Sequence, residues 1–140
     1  MRPGPAPYPY PAVPVRSRDL TGAFADVDGR SDWRVRLYPH LDRLCADLND
    51  HRRLTEGERG CYAEVVNVAP RLARGIHRLI RDHDHLMEAL GALRVRLDAG
   101  APVAELRRSC VDLVSLFEGH RRRGVSLLYE AYGTDIGGET

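Results

Sequence analysis

Residues 70–100, PRLARGIHRLIRDHDHLMEALGALRVRLDAG, and residues 101–131, APVAELRRSCVDLVSLFEGHRRRGVSLLYEA, decide the fold. At helical spacing the first stretch aligns Leu72, Ile76, Leu79, His83, Leu86, Leu90, Leu93 and Leu97. The second aligns Val103, Leu106, Cys110, Leu113, Phe117, His120, Gly124, Leu127 and Ala131. Alternating steps of three and four bury one face of a helix, so two amphipathic helices are expected. Between them, Gly100 suits the left-handed position that stops a helix, and Pro102 suits a first turn that does not need its missing N–H. So short a link makes the two helices antiparallel neighbours. Each stripe carries a histidine where an aliphatic side chain packs better.

Upstream, Thr55 with Glu58 reads as a capping box, which starts a helix at about Glu56 with Cys61, Tyr62, Val65 and Val68 or Ala69 on its apolar side. Asn67, Pro70 and Gly75 interrupt it. A reversal there gives four helices, and a kink gives three. Earlier still, Leu37, Leu41, Leu44 and Leu48 step on to His51 in a helix that ends near Arg53. Pro39 is awkward inside that helix, so a start near Pro39 is expected, with Asp28-Gly29 as a turn and Ser31 or Asp32 as the N-cap of the segment after that turn. The expected fold is all-α: an up-down-up-down four-helix bundle over residues 31–140, behind an irregular Pro-rich arm over residues 1–30. The arm's PAPYPYPAVPV segment favours extended polyproline conformations. It is either solvated or laid along a groove of a second subunit or another protein, with Tyr8 and Tyr10 as anchors. At the other end, Gly133 should stop the last helix, Ile136 should fold back onto the bundle, and Asp135 should bond locally or to Arg121-Arg122-Arg123. Gly124 leaves a gap on the stripe through which an aromatic side chain or another chain can approach.

At 140 residues there is room for one domain with a real core. All 21 basic residues are arginine, and a net charge of +1 leaves no excess for a nucleic-acid backbone or an anionic membrane. No run reaches the length of a membrane span. The opening MRPGPAPYPYP lacks the apolar core of a secretory signal, so the cytoplasm is the expected location. Cys45, Cys61 and Cys110 form no paired motif and read as reduced thiols in helices, with a Cys3His zinc site as the other reading. No serine or cysteine is placed with a histidine and an acid, and no glycine-rich loop follows a strand, so catalysis is not expected.

The histidines carry the functional signal. If the chain reverses near Pro70, a rise of about 1.5 Å per residue brings His51, His83 and His120 to one depth in the bundle. If it runs straight on, His51 and His83 stand about 50 Å apart. Three inward histidines at one level are the condition for a metal centre in a bundle core. The plainer reading satisfies each ring against a carbonyl or carboxylate. Asp82, Glu64, Asp84, Glu88 and Glu118 are the acids within reach, and the chain contains no Glu-x-x-His. His77 and His85 lie off the stripe, and His40 sits beside Pro39.

From about residue 37 to 137 the chain resembles the hemerythrin-like, cation-binding HHE family of four-helix bundles with a non-haem iron pair. Asp82-His83-Asp84-His85-Leu86 is similar to the family's Asp-His-x-x-Leu step, and His120 to its histidine late in the last helix. Leu127-Leu128-Tyr129-Glu130-Ala131-Tyr132 and Asp135-Ile136-Gly137-Gly138 resemble the ending of small bacterial members. The chain departs from the pattern at Gly124, where the family has a glutamate, and it lacks the family's His-x-x-x-Glu in the second helix. The resemblance implies iron held by His51, His83 and His120, with Asp82 or Glu130 as carboxylate, for oxygen or redox sensing or for storage. The alternative is a metal-free bundle that acts as a structural or protein-interaction subunit, marked by the Pro/Tyr arm and the missing acids.

Overall fold

Leucine at every third or fourth position builds what its spacing predicts. The computed structural model describes Tyr10, Pro11 and residues 33–137, the last four through their backbone alone. Among the described residues four helices run in order: α1 Trp33–Glu56, α2 Cys61–Val68, then after a 3₁₀ turn at Pro70–Leu72, α3 Ala73–Asp98 and α4 Val103–Gly137. Among the described residues there is no strand. Three of these helices are long and α2 has only eight residues, so the all-α expectation holds while the expected bundle is built on three long helices rather than four. No described helix is long and apolar enough to cross a membrane. The Asp28-Gly29 turn, the N-cap at Ser31 or Asp32, Tyr8, and the packing of Asp135 and Ile136 lie outside the described residues.

Two turns position everything else. At the end of α3, Gly100 takes φ 73°, and the N–H groups of Ala99, Gly100 and Ala101 donate to the carbonyls of Val95, Leu97 and Arg96. This is the left-handed stop expected from the sequence. At the end of α2, Ala69 leaves helical conformation at φ −142°, ψ 73°, and Pro70 opens the 3₁₀ turn, where its missing N–H costs nothing. The chain turns back here, so α3 retraces the distance that α2 covered. A continuous helix from Glu56 to Leu97 does not form.

The core falls into two clusters. Leu37, Leu41, Leu44 and Leu48 of α1 pack with Leu86, Leu90, Leu93 and Leu97 of α3 and with Leu106, Cys110, Leu113 and Phe117 of α4. Tyr62, Val65 and Ala69 from α2 and its C-cap pack with Leu72, Ile76, Leu79, Leu128 and Ala131. Thus α2 fills the half of the molecule that α1 does not reach. In sequence, His83 and His120 fall between the two sets of apolar side chains on α3 and α4.

Four expectations need correction. Helix α1 does not wait for Pro39: it starts at Trp33 with the proline inside. The lost hydrogen bond and ring clash cost about 3 kcal/mol. The extra turns bury Leu37 completely, worth about 1.5–3 kcal/mol, and seat Trp33 against the same cluster, while Pro39 faces solvent. Thr55 is no N-cap. It is buried in the last turn of α1 and its hydroxyl donates back to the carbonyls of His51 (2.8 Å) and Arg52 (3.2 Å). Gly60, in extended conformation, precedes α2 instead. On α4 the buried residue after Gly124 is Leu128, not Leu127. Leu127 lies against Gly75, where any side chain would overlap it. Finally, α4 runs through Gly133 to Gly137, so Gly133 is not a cap.

Candidate metal centre

Each long helix delivers one histidine to the same place. His51 of α1, His83 of α3 and His120 of α4 are at most 1% exposed. Their Nε2 atoms converge: His83 to His120 at 3.0 Å and His51 to His120 at 3.3 Å. The three rings stand edge to face, with centroids 4.7–5.4 Å apart. One nitrogen from each ring lies within 4.8 Å of the others, the only such group among the described residues. With metal–imidazole bonds of about 2.0–2.1 Å, tetrahedral ligands stand about 3.4 Å apart, close to the spacing of His120 from His83 and from His51.

Two carboxylates stand behind this group. Nδ1 of His83 is 2.6 Å from Oε2 of Glu56, and Nδ1 of His120 is 2.9 Å from Oδ2 of Asp82. Each carboxylate also accepts from an arginine. Arg52 reaches Glu56 at 3.1 Å, and Arg123 reaches Asp82 at 3.0 Å. An ionised carboxylate only accepts, so Nδ1 of each ring carries the proton and Nε2 presents its lone pair inward. Burial, the largest cause, pushes His120 down to about 4 against the pull of Asp82. Burial also lowers His83, against a weaker upward pull from Glu56. Both rings are therefore neutral at pH 7, with lone pairs facing each other across 3.0 Å. This is the carboxylate–histidine arrangement that fixes the tautomer and strengthens a metal-binding imidazole.

Two phenols complete the layer. The Tyr62 hydroxyl lies 3.3 Å from Nε2 of His83. The Tyr10 hydroxyl lies 2.9 Å from Nε2 of His120 and 3.2 Å from Nε2 of His51, and it hydrogen-bonds the Tyr62 hydroxyl. Burial, first among the causes, raises both phenols far above their ordinary range, so both are neutral oxygen donors.

The structure brings together His51, His83 and His120 and sets Asp82 one bond behind them, as a partner of His120 rather than a member of the inner group. Glu130 is elsewhere. It is exposed, ten residues and about 15 Å of helix rise beyond His120, on a groove it shares with Arg78 and Arg122. His77 and His85 are exposed, as their position off the stripe implies. Cys45, Cys61 and Cys110 are free thiols, and none joins the cluster. Glu56, Tyr62 and Tyr10 escaped the sequence reading as site residues. Glu56 enters because α1 runs on past Arg53. Tyr62 is correctly placed on an apolar face, but no periodicity reports where its hydroxyl points. Tyr10 reaches the site from outside every helix.

No family model, curated protein or solved structure matches this chain.

Proposed function

We propose that the protein binds a single first-row transition metal ion through Nε2 of His51, His83 and His120, on a bundle in which α2 serves as the short fourth member. The observation that carries the reading is the pair of inward lone pairs on His83 and His120, 3.0 Å apart and fixed by Glu56 and Asp82. Two neutral acceptors held that close repel unless a cation or a proton stands between them. Imidazole donors suit zinc, iron, copper and nickel. A phenol oxygen would be a hard donor once a bound ion displaced its proton to solvent, and such donors favour iron among these, in line with oxygen or redox sensing or storage. Glu56 and Asp82 are turned outward to Nδ1 atoms, so no carboxylate among the described residues is placed to bridge a metal pair, and the reading is mononuclear. The free thiols fit a reducing compartment, the cytoplasm.

A second reading has its own observation. The hydroxyls of Tyr10 and Tyr62 lie within hydrogen-bond distance of His120 and His83 and can satisfy those lone pairs without an ion. The layer is then a polar network that fixes the packing of a metal-free bundle, and the Pro/Tyr-rich arm serves a partner protein or a second copy. Untagged protein stripped by chelator and titrated with Zn(II), Co(II) and anaerobic Fe(II) separates the two. The metal reading expects saturation at a single ion per chain and its loss in His83→Ala. No uptake of any of the three ions sinks it.

A further inference from the structure

Gly124 lies in the interior of α4, where glycine costs about 1 kcal/mol relative to alanine. Its conformation gives no reason for it, since among the described residues only Gly100 has a positive φ. Space gives the reason. A Cβ at Gly124 would overlap Cζ, Cε1 and Cε2 of Tyr10, so the ring occupies volume that every other residue type would fill. From this seat the Tyr10 ring meets His51 and His120 edge-on at 5.1 and 5.8 Å and lies nearly parallel to Tyr62, 6.2 Å away. It packs against both core clusters and so stands at their joint. Its hydroxyl lies within 3.2 Å of the inward nitrogens of both His51 and His120.

We propose that Tyr10, seated on Gly124, is the fourth donor of the histidine centre and closes it to solvent. The donor half of this rests on the metal reading, while the closure half does not. Three imidazoles alone leave a coordination position open, as in a catalytic site. Here the chain fills that position itself, with a side chain that no helix carries. The centre is therefore built to hold an ion or to report on one, and a small exogenous donor gains access only when the Tyr10 ring is out of its seat.

Three full-length variants test this. Gly124→Ala expels the ring while favouring the helix, Tyr10→Ala removes the ring without touching α4, and Tyr10→Phe keeps the ring and removes the oxygen. In the apoprotein, carbethoxylation of each histidine is followed by mass spectrometry, with exposed His77 and His85 as internal references. Wild type and Tyr10→Phe are expected to protect His51 and His120, and both other variants to label them at rates approaching those of His77. Protection that persists in Gly124→Ala and Tyr10→Ala, with helix content unchanged, overturns the closure whatever the metal does. For the donor half, Zn(II) release to excess chelator is expected to be about tenfold faster or more in Tyr10→Phe, which lacks the fourth donor oxygen; tenfold corresponds to about 1.4 kcal/mol. Release at the wild-type rate overturns it. Failure of wild type to take up any ion sinks the metal reading and the donor half with it, and leaves the labelling result to decide closure.

Discussion

The two halves of the core are packed by different means. In the half around Leu48, Leu86 and Phe117, three long helices meet leucine to leucine, and every buried position follows from periodicity. In the half around Tyr62, Val65 and Leu79, the eight-residue α2 takes over from α1, the buried side chains are on average smaller, and Leu127 packs onto Gly75. The polar layer lies where one helix gives way to the other. A handover between helices brings in side chains from a helix end, here Glu56, and from a helix start, here Tyr62, that a continuous helix would carry past. The difference teaches that the regular half supplies stability, while the interrupted half supplies the geometry of the site.

Five measurements break or sharpen that contrast. The largest effect belongs to the regular half. Phe117→Ala should cost about 3–5 kcal/mol in urea unfolding, against the lower end of about 2–5 kcal/mol for Leu128→Ala in the other half. Equal losses would make the core a single uniform body. Native-state hydrogen exchange should agree, with α2 amides opening before those of α1 around Leu44.

Next comes the joint between the halves. Zn(II) at about a thousand times its dissociation constant should stabilise the protein by about 4 kcal/mol, read as a rise in Tm, and His83→Ala should abolish the gain. An ion that stabilised His83→Ala equally would be bound elsewhere.

Acid should act on the same layer, more gently. His120 is held at about 4 and His83 below its ordinary value, so both stay neutral in the folded apoprotein while their unfolded counterparts take up protons below about pH 6.5. The unfolded state then binds more protons, and stability present in full above about pH 6.5 falls as the pH drops towards 4, by at most about 1.4 kcal/mol per pH unit for His120, with His83 adding to the fall until its own lowered titration is reached. Urea midpoints between about pH 6.5 and 5 should show this slope. His120→Gln should reduce it, and an unchanged slope would mean that His120 does not titrate as described. The smallest effect is at Glu130. Exposed and remote from the layer, Glu130→Ala should shift stability by less than about 0.5 kcal/mol and leave metal affinity untouched.

Much of this was legible in the residues themselves. The stripes of α3 and α4 are buried as spaced, apart from the shift from Leu127 to Leu128 and from Val103, which is only partly buried at the start of α4, because a helix that must bury a face leaves a period in its sequence. Gly100 announced its turn, since few other residues accept φ 73°. The common depth of His51, His83 and His120 followed from rise per residue once Pro70 was read as a reversal. The carboxylates were harder to read. Asp82 could be named as near the site, but a ligand atom and a hydrogen-bond partner of a ligand look alike in sequence, because the choice depends on which ring nitrogen faces inward.

Sequence alone thus determined an all-helical chain, its two long amphipathic stripes, and three histidines on buried faces, since each of these is a local property written at fixed spacing. Tertiary structure decided where α1 would begin and end, because the burial of Leu37 and Thr55 outweighed the local signals of a proline and a capping box. It decided that Glu56 and Tyr62, six residues apart across a turn, would both reach His83. It alone decided that Tyr10 would sit on Gly124, 114 residues away along the chain. A pairing of that range leaves no period to read: it exists only as one side chain and the space kept free for it.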